Sequence, residues 1–383
     1  MRTTTVAGET VEAFVPFPLP PADPSLRFDA RLEDALRKAD AALTRLDLAA
    51  ELVPSIDWFI YGFVRKEAVI SSQIEGTQAT LTDLLDFEAT EATGLAPGAD
   101  IEEVCNYLDA LGYARAQLDR PDGLPLSMRL LNECHRRLMD GARGATKQPG
   151  EIRRSQNWIG GSRPGNAVFV PPPPGALAEA LSRFEQFIHA KSDLPALVRV
   201  GLLHLQFETI HPYLDGNGRI GRLLIALLLQ HWSLLSQPLL YISLFFKRNR
   251  DEYYRRLGAV RIDGDWEGWI AFFLDGVGEI ADEAIESARE LSKLVREDRE
   301  KVLGVRGSSL AAARIFEVLP SHPVLTVNRA MRILDTTRPT ATKAVRTLVQ
   351  TGVLEETSGR KRDQRFSYAR YLHLLGKGTE LGG

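Results

Sequence analysis

The sequence contains little cysteine, no long hydrophobic run and almost no net charge. Two cysteines in 383 residues, Cys105 and Cys134, exclude a disulfide-stabilised scaffold and a cysteine-based metal site. The longest uninterrupted hydrophobic run, residues 223–229, is far shorter than the roughly 20 residues that span a bilayer. The first residues also lack the hydrophobic core of a signal peptide, so we expect a cytoplasmic protein with no membrane segment. A formal net charge of −3 indicates no class of partner.

What the sequence has in abundance is helical periodicity. Hydrophobic residues recur at three- and four-residue spacing along most of the chain and predict an all-α, mainly helical protein. Residues 150–174 break the pattern, and their short apolar runs around glycines, followed by four prolines, predict a β-hairpin with an extended exit. Residues 308–368 predict three short helices and a second hairpin, which is the order of a winged helix-turn-helix. The charged residues 283–301 indicate a solvated helix that joins two domains, with a homodimer contact as the alternative.

Residues 211–222, which read His-Pro-Tyr-Leu-Asp-Gly-Asn-Gly-Arg-Ile-Gly-Arg, combine groups that suit a nucleotide phosphate. Glycines allow close backbone approach, and the N-terminus of the helix that follows attracts anions. Arg219 and Arg222 add planar donors, Asp215 suits a Mg²⁺ ion on the phosphates, and His211 is a base at neutral pH. From these residues alone an ordinary turn remains open, as does a metal site of His204, Glu208 and His211 at helical spacing.

The same segment resembles the motif of the Fic family, HPFx(D/E)GNGRxxR, at every defined position except the third, where Tyr213 replaces Phe. Residues 154–172 resemble the β-hairpin flap of that family, and residues 266–274 resemble the helix that closes its core. The resemblance covers about residues 15–280 and implies an all-α Fic fold with a β-hairpin flap. We therefore divide the chain into four segments: 1–120, an N-terminal strap and helices that include an inhibitory helix; 121–282, the catalytic core; 283–305, a helical linker; and 306–375, a winged helix-turn-helix.

The activity that this resemblance implies is that of a protein adenylyltransferase. Such an enzyme moves AMP from MgATP to a Ser, Thr or Tyr hydroxyl of a target protein, or of itself, and releases diphosphate. His211 would be the catalytic base and Asp215 would hold Mg²⁺. The residues that would bind the phosphates are Gly216, Asn217, Gly218, Arg219 and Arg222, and those of the flap that would dock the target are Trp158, Ile159 and Gly160. A kinase-like variant of the family carries Lys where this chain has Arg219, so Arg219 argues against that variant.

A second motif lies upstream, where Ser71-Ser-Gln-Ile-Glu75-Gly76 ends a predicted helix. Ser71 and Glu75 are four residues apart and share a helix face, and Gly76 suits a left-handed helix cap. The segment resembles the inhibitory motif of the Fic family, (S/T)xxxE(G/N). The resemblance implies that Glu75 pairs with Arg222 and takes the place of the ATP γ-phosphate. Removal of AMP by the same site, with Glu75 positioning water, is the alternative reaction.

The C-terminal segment is strongly basic. Residues 306–370 contain twelve basic and five acidic residues, an excess that suits a phosphate backbone. The candidate DNA-binding residues are Lys343, Arg346, Arg360, Lys361 and Arg362, on the third helix of the segment and on its wing. Two alternatives remain open: a winged helix that binds protein or dimerises, and a chain that is a nucleotide-sensing DNA-binding regulator rather than an enzyme.

Overall fold

The computed structural model describes residues 1–51, 55–90, 98–141, 145–305, 310–360 and 363–381. The helices are α1 (Ala30–Glu51), α2 (Ile56–Ile74), α3 (Leu81–Thr90), α4 (Ala99–Leu118), α5 (Met128–Leu138), α6 (Pro174–His189), α7 (Ala196–Ile210), α8 (Asn217–His231), α9 (Ser243–Arg248), α10 (Arg250–Asp263), α11 (Trp266–Gly304), α12 (Leu310–Val318), α13 (Val327–Leu334), α14 (Arg338–Gln350) and α15 (Ala369–Leu375). The strands are β1 (Arg2–Val6), β2 (Glu9–Ala13), β3 (Val324–Thr326), β4 (Glu355–Glu356) and β5 (Arg365–Ser367). This confirms the predicted mainly helical fold. In the described part of the chain, no helix is both long and apolar enough to cross a membrane.

Several short elements of the structure were not predicted from the sequence. Helix α3 begins with a capping box in which the Thr80 hydroxyl accepts from the Asp83 N–H (3.2 Å) and the Asp83 carboxylate accepts from the Thr80 N–H (2.8 Å). Its Thr-x-x-Asp signal was present in the sequence but too short to stand out. The first residues, expected to belong to an extended strap, form the antiparallel hairpin β1–β2, in which Val6 pairs with Glu9.

Residues contact one another in two compact units. The first unit comprises Met1–Asp47 and Cys105–Ala281, and the second comprises Leu48–Val104 and Asp282–Gly383. The unit boundaries therefore fall inside helices α1, α4 and α11. The four segments proposed from the sequence divide the chain by role rather than by contact, and that division stays a prediction.

The core of the first unit is built around α7 and α8. Every residue of α7 from Leu197 to Ile210 is buried, and α8 buries its apolar residues against α7. Gly201 allows α11 to pack closely, since a Cβ there would lie 2.9 Å from the ring of Phe273. The Trp269 indole N–H donates to the Gly201 carbonyl (2.9 Å). Helix α7 is thus held rigidly along its whole length, up to the residue at which it ends.

The second unit contains α2 and α3 together with the C-terminal elements. Strands β3, β5 and β4 form an antiparallel sheet in that order beside α12, α13 and α14. The Asp298 side chain is fully buried and is neutralised by Lys301 (2.6 Å) and Arg370 (3.0 Å), while the Tyr368 hydroxyl donates to it (2.9 Å). A buried carboxylate is stable only when paired in this way. The network therefore fixes α15 and β5 to the end of α11.

The predicted flap hairpin is reduced to one bridged pair. Ile159 and Phe169 face each other, with the Ile159 N–H donating to the Phe169 carbonyl (2.8 Å). A 3-10 turn at Pro164–Asn166 forms the tip. Longer strand pairing is prevented by the prolines at 171–174, which have no N–H to donate.

Candidate active site

Helix α7 ends at His211, which adopts a left-handed conformation with φ 50° and ψ 63°. This conformation costs a residue other than glycine about 1–2 kcal/mol. Pro212 cannot continue the hydrogen-bond ladder of the helix, so the chain turns here. The His211 N–H still donates to the Phe207 carbonyl (2.9 Å), and the imidazole is therefore presented from the fixed end of a buried helix.

The backbone around His211 is held by Arg153, a residue that the sequence analysis did not single out. Its Nε donates to the His211 carbonyl (2.9 Å), its Nη2 lies 3.5 Å from the Ile210 carbonyl, and its own backbone N–H donates to the Pro212 carbonyl (3.0 Å). One residue thus binds three consecutive carbonyl groups at the turn. Burial lowers the pKa of the Arg153 guanidinium to about 10.

The same guanidinium also reaches both stems of the flap. Its Nη1 donates to the Ser155 carbonyl (3.2 Å) and its Nη2 to the Pro172 carbonyl (2.6 Å). Arg153 therefore connects the segment that would dock a target with the backbone that carries His211. No periodicity or motif in the sequence indicates this role, because all the acceptors are main-chain atoms.

Asn217 closes the loop between α7 and α8. Its side-chain oxygen accepts from the Tyr213 N–H (2.8 Å), and its amide donates to the Tyr213 carbonyl (2.9 Å). The Asn157 amide of the flap donates to the same carbonyl (3.1 Å). Both ends of the Asn217 side chain thus hold the loop in place. The Tyr213 hydroxyl, the group that distinguishes it from the Phe of the motif, donates to Asn132 (2.8 Å).

His135 is a second residue that the sequence analysis missed. The Gly150 N–H donates to its Nδ1 (2.8 Å), so the proton lies on Nε2, which donates to the Asp215 carbonyl (3.0 Å). The imidazole stacks on the Tyr213 ring at 3.8 Å. Burial lowers the pKa of His135 to about 4, which keeps it neutral at physiological pH. Neutral His135 therefore positions the loop rather than supplying charge to it.

The first turn of α8 provides the positive end of the site. Gly216 precedes it with φ 74°, and a Cβ there would lie 2.8 Å from the Met139 sulfur. Behind it Arg219 and Arg222 are both buried, at 6% and 2% exposure. The N–H groups of a first helical turn have no intrahelical acceptor, so they are available to an anion. Asp215 is half exposed, and its carboxylate accepts from the Gly216 N–H (2.6 Å).

The structure rejects the alternative metal site at His204, Glu208 and His211. Both ring nitrogens of buried His204 are occupied, since Nδ1 lies 2.9 Å from the Gly221 carbonyl and Nε2 lies 2.9 Å from the Tyr253 hydroxyl. Burial lowers the pKa of His204 to about 3, so it is a neutral core residue. Within the described residues, no three His, Cys, Asp or Glu side chains are grouped so as to hold a metal ion.

The predicted docking residues of the flap lie at its surface. Trp158 and Ile159 are half-buried and Gly160 is exposed, with φ 67°. The N-terminal segment contacts the C-terminal end of the flap, where the Phe14 N–H donates to the Val170 carbonyl (2.9 Å).

The predicted inhibitory residues belong to the second unit. Ser71 is fully buried in the last turn of α2, and Glu75, which follows that helix, is exposed. Gly76 has φ 99°, the left-handed conformation expected of a residue that ends a helix. The pairing of Glu75 with Arg222 remains a prediction.

Of the predicted DNA-binding residues, Lys343 and Arg346 are exposed on α14, and Arg360, which follows β4, is also exposed. Lys361 and Arg362 lie outside the described residues.

Comparison with known protein families decides the membership of the chain. Residues 33–116 match the model of the Fic/DOC family N-terminal region, and residues 125–229 match the model of the Fic/DOC family itself. The chain belongs to the Fic/DOC family. The second match contains Arg153 and the whole segment 211–222, and the first contains the Ser71–Glu75 motif.

Curated relatives carry the name "Protein adenylyltransferase Fic". The Culex quinquefasciatus protein is 31% identical over 281 residues, which are 68% of this chain and 52% of the relative. The Drosophila willistoni protein is 31% identical over 210 residues, 53% of this chain and 38% of the relative. The chain thus spans between a third and about half of the length of these relatives.

Solved structures of Fic proteins share the fold. A Fic family protein from Desulfovibrio desulfuricans aligns with a TM-score of 0.57 at 21% identity and covers 89% of this chain and 97% of that one. A fragment of Fic-1 from C. elegans aligns with a TM-score of 0.50 at 20% identity and covers 69% of this chain and 74% of the fragment.

Proposed function

We propose that this Fic protein transfers AMP from MgATP to a hydroxyl group of a protein. The observation that carries the proposal is the junction of α7 and α8, where His211 leaves a fixed helix end immediately before the positive N-terminus of a helix with two buried arginines. The named relatives support the same reaction.

In this reaction the target hydroxyl oxygen bonds to the α-phosphorus of ATP as the bond from that phosphorus to the bridging oxygen breaks. The hydroxyl proton passes to His211, and diphosphate leaves with the electron pair of the broken bond. Arg219, Arg222 and the first-turn N–H groups of α8 would stabilise the negative charge on the phosphates, which is the main requirement of phosphoryl transfer.

The donors present fit a magnesium-bound nucleotide. Mg²⁺ commonly binds one or two carboxylates together with substrate phosphates and water. Asp215 offers one half-exposed carboxylate beside the anion site, and its carbonyl is held by His135. When bound, the ion would neutralise part of the phosphate charge; Asp215 would hold it.

We further propose that Glu75 restrains this activity by pairing with Arg222. A carboxylate at that arginine would meet the γ-phosphate of ATP, and two anions about 4 Å apart repel by a few kcal/mol at an effective dielectric near 20. The nucleotide would then be misaligned, and a displacement of about an ångström lowers such rates on the order of 10²-fold.

Incubation with α-labelled ATP and Mg²⁺ tests the transfer. Glu75→Gly should label itself or lysate proteins far more strongly than wild type, and Glu75→Gly with His211→Ala should label neither while still binding ATP. Strong labelling by the His211→Ala variant would reject His211 as the base. Absence of label with every variant would favour nucleotide sensing without transfer.

A second candidate function is DNA binding by the C-terminal segment. It is favoured because some basic residues of this segment are bound within the second unit, whereas others are exposed without an acidic partner among the described residues. Arg329 and Arg365 are engaged within the second unit: Arg329 donates to the Glu88 carbonyl (2.6 Å), and Arg365 pairs with Asp86 (3.0 Å). On α13 and α14, by contrast, four basic residues are exposed and have no acidic partner among the described residues, namely Arg332, Arg338, Lys343 and Arg346.

We propose that α14 is the recognition helix of a winged helix-turn-helix and that these four side chains face duplex DNA. Thr347 of α14 is buried and does not belong to this surface. Lys343→Glu with Arg346→Glu should abolish binding of a random duplex, whereas the exposed pair Lys147→Glu with Lys191→Glu should not. Wild-type binding that does not weaken as salt rises would reject an electrostatic interface.

A further inference from the structure

The helix that carries the inhibitory motif packs within the same unit as the C-terminal elements. Helix α2 bonds to α3 through Glu88: the Tyr61 hydroxyl donates to its carboxylate (2.5 Å), and Arg65 pairs with it (2.8 Å). Arg65 also lies 3.5 Å above the Tyr61 ring. These three side chains form one hydrogen-bonded group, in which Tyr61 and Arg65 belong to consecutive turns of α2.

Glu88 is in turn held by the C-terminal segment. The Arg329 guanidinium, on α13, donates to the Glu88 carbonyl (2.6 Å). Two residues before Glu88, Asp86 pairs with Arg365 of β5 (3.0 Å), and both side chains are 29% exposed. Helix α3 is therefore fixed to α13 and β5 at the point where it binds α2.

Helix α2 also contacts the C-terminal segment directly along its length. Near its start, Leu375 of α15 fills the space that a Cβ on Gly62 would need, at 2.8 Å, and His322 stacks on Tyr61 at 6.3 Å. Near its end, the Gln73 amide donates to the Thr379 carbonyl (2.8 Å) and to the Ala79 carbonyl (2.8 Å).

Gln73 lies two residues before Glu75, so these contacts reach the inhibitory motif itself. We define the anchor contacts as Arg329 with Glu88, Arg365 with Asp86, Leu375 with Gly62 and Thr379 with Gln73. We propose that the C-terminal segment, residues 310–381, holds the inhibitory helix in place through the anchor contacts, and that loosening them raises AMP transfer. This inference rests on the proposed inhibition by Glu75.

The C-terminal segment would thus be the element through which inhibition is regulated. The anchor contacts involve α13, β5, α15 and the residues after α15, so a partner that displaces any of these elements weakens the hold on α2. A ligand can relieve the inhibition only if it binds the loosened arrangement more tightly than the inhibited one. A partner that binds Arg329 or Arg365 in place of Glu88 or Asp86 satisfies that condition.

Two variants test the anchor contacts without touching the catalytic residues. Arg329→Met removes the bond to Glu88, and Gln73→Met removes both amide bonds near Glu75. Arg329→Met should raise transfer from α-labelled ATP by about 5-fold, the population effect of one net hydrogen bond, and Gln73→Met, which removes two bonds, should raise it by at least as much. Arg314→Met is the matched control, because Arg314 is an exposed arginine on α12 of the same C-terminal segment and takes no part in the anchor contacts. It should leave transfer at the wild-type rate.

A double-mutant cycle separates release of inhibition from general damage. In a Glu75→Gly background the inhibition is already absent, so Arg329→Met and Gln73→Met should add nothing to the rate. Wild-type rates for both single variants, or an equal change in rate with and without Glu75→Gly, would overturn the inference. A Glu75→Gly variant as slow as wild type would instead reject the proposed inhibition, and the inference with it. Cooperative melting of each variant checks that it is folded.

Discussion

Replacement of Arg153 by Met should damage both the stability of the first unit and its chemistry. The guanidinium donates to the carbonyls of His211 (2.9 Å), Ser155 (3.2 Å) and Pro172 (2.6 Å). Hydrogen bonds from a charged donor are each worth about 1.5–3 kcal/mol, so the three together amount to roughly 4–9 kcal/mol. Methionine fills a similar volume but donates none of them.

Part of that loss is offset, because a buried cation is removed. Burial lowers the pKa of Arg153 well below its ordinary value, to about 10. A lowering of that size corresponds to about 3 kcal/mol of unfavourable desolvation that Met does not carry. The net destabilisation is therefore about 1–6 kcal/mol. A mid-range value of about 3 kcal/mol lowers the Tm by roughly 10 °C in a unit as large as the first one.

The effect on chemistry follows from the conformation of His211. Its left-handed backbone is itself unfavourable, and Arg153 binds the carbonyl of that residue. Without Arg153 the imidazole should shift, and a shift of about an ångström reduces transfer on the order of 10²-fold. ATP affinity should change little, since the phosphates are expected to bind at α8. The measurements are thermal melting, nucleotide binding and transfer from α-labelled ATP in a Glu75→Gly background.

The adjacent Arg154 provides the control. Its side chain is 83% exposed and pairs with Glu151 at 3.2 Å, a surface contact worth at most about 1 kcal/mol. Arg154→Met should therefore leave Tm and transfer nearly unchanged. If Arg153→Met matched Arg154→Met in both measurements, the proposed role of Arg153 in holding the turn and the flap would be wrong.

Three further predictions follow from the site. Burial lowers the pKa of His135 from 6.5 to about 4, so the unfolded chain binds a proton at a higher pH than the folded chain does. The free energy of unfolding should therefore fall by up to about 3 kcal/mol as the pH drops from 6.5 to 4. In melting experiments His135→Gln should reduce this dependence on pH. Tyr213→Phe removes only the hydroxyl bond to Asn132 and should keep transfer activity, while unfolding free energy changes by about 1 kcal/mol or somewhat more in denaturant titrations. Arg222→Ala, unlike Glu75→Gly, should not raise transfer from labelled ATP, because the γ-phosphate loses its partner together with Glu75.

Each of these three has a clear contrary result. His373 is exposed on α15, so His373→Gln should leave the acid sensitivity unchanged; an identical effect of both histidine variants would contradict a special role for His135. Loss of transfer in Tyr213→Phe would show that the hydroxyl itself takes part in the reaction. Activation of Arg222→Ala to the level of Glu75→Gly would mean that Arg222 does not serve the γ-phosphate.

The long helices were predictable because their hydrophobic spacing is a property of consecutive residues. The helix predicted for residues 283–301, for example, lies within α11. The flap was predicted as a hairpin but is a single bridged pair, since the prolines at 171–174 prevent longer pairing. Its position depends on a hydrogen bond to the N-terminal segment and on the contact of Asn157 with the loop after α7. Those contacts lie many residues away and leave no periodic signal.

The sequence by itself determined the site motif and the conformations that short-range sterics impose. Gly216 adopts a positive φ, and α8 begins directly after it, because these features depend only on neighbouring residues. The tertiary structure alone decided that Arg153 and His135 hold the loop between α7 and α8. Their bonds to the carbonyls of His211 and Asp215 bridge 58 and 80 residues and end on main-chain oxygen atoms. Every residue offers such an oxygen, so only the fold selects which ones these two side chains reach.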